Sequence, residues 1–347
     1  MIGGIFMKKN SLINNLKFKF SLFLVLFTGL SIAENKYPFS LSVLSDFSYS
    51  SEDSAFRSTG LEWVAMGKFN EQTMVMAYLH SPINGTPMVE EVFVDYKSSN
   101  QIKVGYFRPN IGWLNKAHFH TYNFISSPKG YRLLMGENHW ASLGASAGIS
   151  LPLTWKSEIS TQLFNNHFGE VEIQDGHSHG IILSDSLRQG MVSGISTTHS
   201  FTSISHGTIT LKAGTLSGRS KKLQGLAIQW KYKNDPYRSW IIQGEYLKGD
   251  ISDSHHGISF HPDEELNTAY ILLGRQFNKK LHLGVLADQW AYRLKSTSGY
   301  SAAIFFAYAP RGDNWVIRGK IINESDSSLI GVIQLNWALG PHKPQRY

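Results

Sequence analysis

The chain of 347 residues contains no cysteine. No disulfide can therefore staple the fold, and thiolate metal centres and cysteine nucleophiles are excluded. Past residue 33 no run approaches the roughly 20 apolar residues that a membrane-spanning helix requires. The Leu22-Phe23-Leu24-Val25-Leu26-Phe27 run near the start is much shorter. Charged residues make up only 17% of the chain. There is no P-loop, no Gly-x-Gly-x-x-Gly and no His-Glu-x-x-His sequence to carry nucleotide or zinc-protease chemistry. Gly144-Ala145-Ser146-Ala147-Gly148 matches the Gly-x-Ser-x-Gly pattern. A nucleophile elbow needs a strand-to-helix turn, whereas this match falls within a predicted strand.

Residues 1–33 are predicted to be a cleaved export signal. Lys8, Lys9, Lys17 and Lys19 precede the apolar run, and Ser31-Ile32-Ala33 supplies small residues for cleavage. These four lysines account for most of the positive balance. Of 33 Lys+Arg, 29 remain after residue 33 against 26 Asp+Glu, a net charge of +3. Nucleic acid is not an expected partner.

What the remaining 34–347 does have is alternation. Phe39, Leu41, Val43, Phe47 and Tyr49 face opposite to Ser40, Ser42, Asp46 and Ser48. Leu226, Ile228, Trp230 and Tyr232 alternate with Ala227, Gln229, Lys231 and Lys233. Period two marks β-strands with one apolar and one polar face. Sixteen strands are predicted, at 39–50, 60–69, 72–80, 90–97, 101–107, 141–151, 155–164, 190–199, 205–215, 224–233, 238–248, 266–276, 280–291, 299–309, 314–323 and 328–339. A count of 14–18 fits, because 108–140 and 165–189 are long enough to hold a further hairpin.

The gaps between these strands are short and long almost by turns; only 324–327 breaks the order. Outer-membrane barrels keep short turns on the periplasmic side and long loops outside. The expected fold is thus an all-β, transmembrane antiparallel β-barrel in the outer membrane of a Gram-negative bacterium, with membrane lipids around it. Aromatics near strand ends, including Trp155, Trp240, Trp315, Tyr78, Tyr96 and Tyr270, are expected to form girdles at the interfaces. About sixteen strands enclose an aqueous lumen. Polar-face residues Lys103, Lys212, Lys231, Lys233, Arg318 and Lys320, with the acids Glu91, Asp95 and Glu245, are expected to line it.

The longest connection, 108–140, is rich in aromatic and apolar residues, which would be costly to leave in solvent. It is expected to fold against a wall; in general porins the connection at this place in the strand order folds inward and narrows the lumen, and the same constriction is expected here. Arg108, Lys116, Lys129 and Arg132 against the single acid Glu137 would make that constriction basic. Phe107-Arg108-Pro109, Gly112, Leu114-Asn115, His118, His120, Pro128, Tyr131-Arg132, Gly136-Glu137, Gly144 and the tail Leu339-Gly340-Pro341-His342 to Tyr347 carry a family likeness. At these positions the chain resembles a bacterial outer-membrane porin-like family, akin to phosphate-selective porins. The resemblance implies an outer-membrane channel.

The expected function is passive diffusion of small hydrophilic solutes with a mild anion preference, without enzymatic activity or a required cofactor. Assembly as a homotrimer is compatible with that reading. Histidine supplies one alternative. Of 14 histidines, clusters fall in predicted external loops at His118 and His120, at His167, His177 and His179, and at His255, His256 and His261. His-x-His can present two imidazoles to zinc or copper, so a substrate-specific or metal-capturing channel is the first alternative. No carboxylate completes such a site at a recognisable spacing. A structural or adhesive surface barrel is the second alternative.

Overall fold

The computed structural model describes residues 39–165, 191–202, 207–218, 222–250, 264–294, 296–310, 314–325 and 327–342. The export signal, His167, His177, His179, His255, His256, His261 and the tail beyond His342 lie outside the described residues.

Alternating β-branched and aromatic residues form β1 (Phe39–Ser50), a short β2 (Ala55–Arg57), β3 (Leu61–Lys68), β4 (Thr73–Ser81), β5 (Met88–Lys97), β6 (Asn100–Phe107), β7 (Ser142–Ser150), β8 (Lys156–Phe164) and β9 (Val192–Thr202). The series continues with β10 (Gly207–Ser217), β11 (Lys222–Asp235), β12 (Arg238–Asp250), β13 (Glu265–Gln276), β14 (Leu281–Tyr292), β15 (Ser298–Tyr308), β16 (Trp315–Glu324) and β17 (Ile330–Leu339). The Gly144–Gly148 match lies inside β7, which runs straight through it.

β1 pairs along its first half with β3 and along its second half with β2. These two segments are one barrel strand interrupted at 58–60, where Asp46 accepts hydrogen bonds from the Thr59 amide and hydroxyl. The barrel therefore has sixteen strands. Each pairs antiparallel with its sequence neighbour, and β1 closes the ring against β17 from Val43↔Leu339 to Ser50↔Val332. Closure pairs every wall strand on both sides and leaves no open edge.

The alternation sorts the two faces. Leu226, Ile228, Ile271, Ile304, Ile321 and Leu339 stand outward and exposed, while Asp46, Ala227, Val316, Arg318 and Asn336 are buried inside. A continuous apolar exterior on a closed barrel is a lipid-facing belt. Trp155, Trp240, Trp315 and Tyr96 are exposed on it. Tyr78 and Tyr270 do not join the girdle; both are buried in the interior. Tyr78 stacks on His118 there and Tyr270 donates to Glu245.

The expectation of a wholly wet interior is also corrected. Phe164, Val192, Leu216, Leu223, Leu247 and Leu266, all within 0–1% of full burial, ring the inside near the long-connection end. They pack with Phe107, Ile111, Leu114, Tyr122, Phe124, Tyr131, Leu134, Met135 and Trp140, which belong mostly to 108–140. Part of the lumen is a dry hydrophobic core.

Candidate functional site: the interior segment 108–140

This segment leaves the wall at Phe107 and returns at β7. It contains two single 3-10 turns, Leu114–Lys116 and Phe119–Thr121, and one short helix, α1 (Lys129–Met135). Asn115, fully buried, closes its base: Nδ2 donates to the carbonyls of Pro109 (3.0 Å) and Trp140 (3.2 Å), and Oδ1 accepts from the Trp140 amide (3.1 Å). One side chain thus ties both ends of the 108–140 excursion together.

Polar wall residues then fasten the segment around the circumference. The Asn110 amide donates to Gln162 on β8 (2.6 Å), and its side chain to Ser196 on β9 (3.0 Å). Lys212 on β10 donates to the Gly112 carbonyl (3.3 Å) and lies 4.0 Å from the Trp113 ring centroid. Glu245 on β12 accepts from the Trp113 amide and from the Tyr270 hydroxyl, both at 3.1 Å. The Gly130 amide donates to Asp288 on β14 (3.0 Å), and Lys129 pairs with Glu324 on β16 (2.8 Å). Arg318 donates to the His120 carbonyl (2.6 Å) and Lys320 to the Ile125 carbonyl (3.2 Å).

Several of the cations expected to line the lumen are engaged by these contacts. Arg318 and Lys320 are 1% and 6% exposed, and with Lys212 they hold the segment by its carbonyls. Lys103 sits 4.0 Å from the Phe93 centroid. Lys231 is half-buried and Lys233 exposed at the short-turn end. Nor is the segment a simple basic ring. Arg108 is matched by Glu90 (3.2 Å) and Glu91 (3.5 Å), Lys129 by Glu324, and Arg132 by Glu137 (3.1 Å). The counter-acids Glu90, Glu91 and Glu324 come from strands, so the segment's own composition could not reveal them.

Lys116 keeps water contact within the barrel. Enclosure by the walls, reinforced by repulsion from Lys212 and Lys103, lowers its pKa to about 7. A polar cavity between the segment and the β6–β8 wall is lined by Lys103, Lys116, Gln101, Ser146, Glu158 and Gln162, among others.

His118 and His120 do not lie in an external loop. Both are buried beside the neighbouring β3–β5 wall, with Glu62 of β3 between them. His120 Nδ1 lies 2.8 Å and His118 Nδ1 3.5 Å from the Glu62 carboxylate oxygens. The carboxylate that sequence spacing did not supply comes from a strand far upstream. His118 Nε2 lies 3.0 Å from Glu91, and its ring stacks on Tyr78 at 3.8 Å. His120 Nε2 lies 2.7 Å from Nε2 of His342, which the turn after β17 brings inward.

A register shift explains why consecutive acids reach one place. Tyr78 pairs with Glu91 while Leu79 pairs with Val89, leaving Glu90 as an extra residue. Such a bulge re-aims a side chain that would otherwise face lipid. The environment drives the two imidazoles apart. Burial and Arg108 depress His118, but hydrogen bonds to Glu90 and Glu91 outweigh them and its pKa is raised. For His120 burial dominates, Glu62 compensates only partly, and the pKa is lowered.

Solved structures share this architecture. The high-pH structure of Pseudomonas putida OprB aligns with a TM-score of 0.61 at 9% identity, over 87% of this chain and 94% of that one. The chain has the porin fold. The anion-selective porin from Comamonas acidovorans aligns with a TM-score of 0.55 at 7% identity, covering 88% of this chain and all of that one (100%). The outer-membrane channel DcaP of Acinetobacter baumannii gives 0.55 at 9% identity, over 87% and 97%. No family model matches the sequence. An uncharacterized protein of Aquifex aeolicus (strain VF5) is 27% identical over 169 residues, 42% of this chain. The match spans about a third (35%) of that relative's length. A closed sixteen-stranded barrel with a lipid-facing belt is an outer-membrane protein.

Proposed function

We propose that the protein is an outer-membrane channel for small hydrophilic solutes with a mild preference for anions. The interior segment narrows its lumen, and solutes pass along the polar gap between that segment and the β6–β8 wall. The observation that carries this reading is Lys116. Among the segment's four cations it has no ion pair within the described residues, and it lines the gap beside Lys103. Two neighbouring ammonium groups raise the local concentration of anions, and Glu158 opposite moderates the effect. Serine, glutamine and asparagine around them offer hydrogen bonds without selecting one solute. Diffusion down a gradient needs no bound cofactor and no catalytic group. Homotrimeric assembly belongs to the same reading and is measurable by native mass analysis in detergent.

The test is the reversal potential across a planar bilayer under a salt gradient. The wild type should favour chloride over potassium modestly, and Lys116→Glu should abolish or invert that preference. An unchanged reversal potential in Lys116→Glu would contradict the proposed path. A folded barrel that passes no current would contradict the channel itself.

A further inference from the structure

We propose that Glu62, His118 and His120 bind one divalent ion of borderline softness, zinc first, and that the ion fastens the interior segment to β3. This site is separate from the solute gap and stands or falls independently of it.

Donor spacing is the first argument. Zinc bonds to imidazole nitrogen and carboxylate oxygen are about 2.0–2.2 Å, so neighbouring tetrahedral ligand atoms sit about 3.3–3.5 Å apart. His118 Nδ1 is 3.5 Å from Glu62 Oε1 and 3.4 Å from Glu90 Oε2. The His118–Glu62 edge already has the required length, as has the approach of Glu90 as a fourth ligand; the two imidazoles offer ligand atoms within 4.8 Å of each other and would draw together on the ion. The other Glu62 edge, His120 Nδ1 to Glu62 Oε2, is a hydrogen bond of 2.8 Å and would open by about half an ångström when an ion replaces the proton.

Outer support is the second argument. Metal-bound histidines almost always donate their other N–H to a fixed acceptor, which sets tautomer and ring orientation. His118 Nε2 faces the Glu91 carboxylate at 3.0 Å, and His120 Nε2 faces His342 at 2.7 Å. Both Nδ1 atoms are therefore free to converge on Glu62. Stacking on Tyr78 fixes the His118 ring plane.

Charge and desolvation agree. Glu62, Glu90 and Glu91 gather three carboxylates around His118 and Arg108, while the second nearby guanidinium, Arg318, is turned to the His120 carbonyl. Glu62 Oε1 is buried and accepts no hydrogen bond from the described residues. Leaving such an oxygen unsatisfied is costly, and a cation would relieve it. Two imidazoles disfavour calcium and magnesium, which take oxygen ligands. Glu90 or an external oxygen can supply the fourth position.

The experiment is a calorimetric titration of the full-length barrel, refolded in detergent, with zinc sulfate. One ion per chain is expected. Glu62→Gln, which keeps the side-chain shape, and His118→Ala with His120→Ala should each weaken binding at least about tenfold. Replacing His177, His179, His255 and His256 by alanine should leave this binding intact. Heat-modifiable gel migration reports whether each variant is folded. Zinc K-edge absorption of the wild type should show two imidazole nitrogens at about 2.0–2.1 Å. No binding, binding unaltered in folded Glu62→Gln, or loss confined to the four-histidine variant would overturn the proposal.

Discussion

Gly112→Ala is the smallest change that should unseat the interior segment. Gly112 has φ +62°, and an added Cβ would stand 1.5 Å from Oε1 and 2.4 Å from Cδ of Glu245. The left-handed conformation costs an alanine about 1–2 kcal/mol. The contact cannot be relieved without moving the carboxylate, which receives the Trp113 amide and the Tyr270 hydroxyl. Buried hydrogen bonds contribute about 0.5–1.5 kcal/mol each, so losing both brings the total to roughly 2–5 kcal/mol. The sixteen-stranded ladder is untouched, and release of the segment near Gly112 is the cheapest relaxation. Single-channel conductance should rise and become noisier, and iodide should quench Trp113 more strongly, while heat-modifiable migration stays that of a folded barrel. Gly136→Ala is the control: φ is +82°, but nothing among the described residues lies within 4 Å of the new Cβ. It should incur only the conformational cost and leave conductance unchanged. Equal conductance in Gly112→Ala and wild type, with Trp113 equally shielded, would show that the Glu245 seat does not hold the segment.

Three further outcomes follow from the same contacts. Asn115→Ala removes three buried hydrogen bonds that close the base of the segment, about 3 kcal/mol in sum; limited proteolysis should then cut within 108–140, where the wild type resists. Tyr131 is 1% exposed and its hydroxyl has no partner among the described residues, so Tyr131→Phe should leave stability unchanged or raise it by about 1 kcal/mol in urea unfolding. Enclosure and neighbouring cations lower the pKa of Lys116 toward about 7; anion preference should therefore be stronger at pH 6 than at pH 8.5, and Lys116→Arg, charged throughout, should weaken that dependence.

The barrel was legible because its signal is repeated. Leu226 and Ile228 outward against Ala227 inward is a local pattern, and sixteen such segments with short turns and long loops leave few other architectures. The interrupted second strand was not legible, since the break at Thr59 depends on where the Asp46 carboxylate reaches. Tyr78 and Tyr270 misled for a related reason: aromatics near strand ends serve lipid interfaces and lumen contacts alike, and only register separates them. That 108–140 packs against a wall could be expected from its apolar content, and its inward path from the course of the corresponding connection in general porins. Its partners could not, because Gln162, Lys212, Glu245, Asp288 and Arg318 come from five different strands. The His118 and His120 pair was visible, but Glu62 was not, and neither was Glu90, whose inward aim follows from a bulge. His342 lay in a tail noted for its motif and not for its side chain.

The gap beside Lys116 is where solute is proposed to cross, and a chain without native cysteine allows that to be asked at one atom. Lys116→Cys should be reacted with a negatively charged thiosulfonate while current is recorded, and complete modification confirmed by mass. Anion current should fall sharply and the reversal potential should shift toward cations, whereas a positively charged reagent should restore the wild-type preference. Full modification with both current and reversal potential unaltered would place the conducting path elsewhere in the barrel.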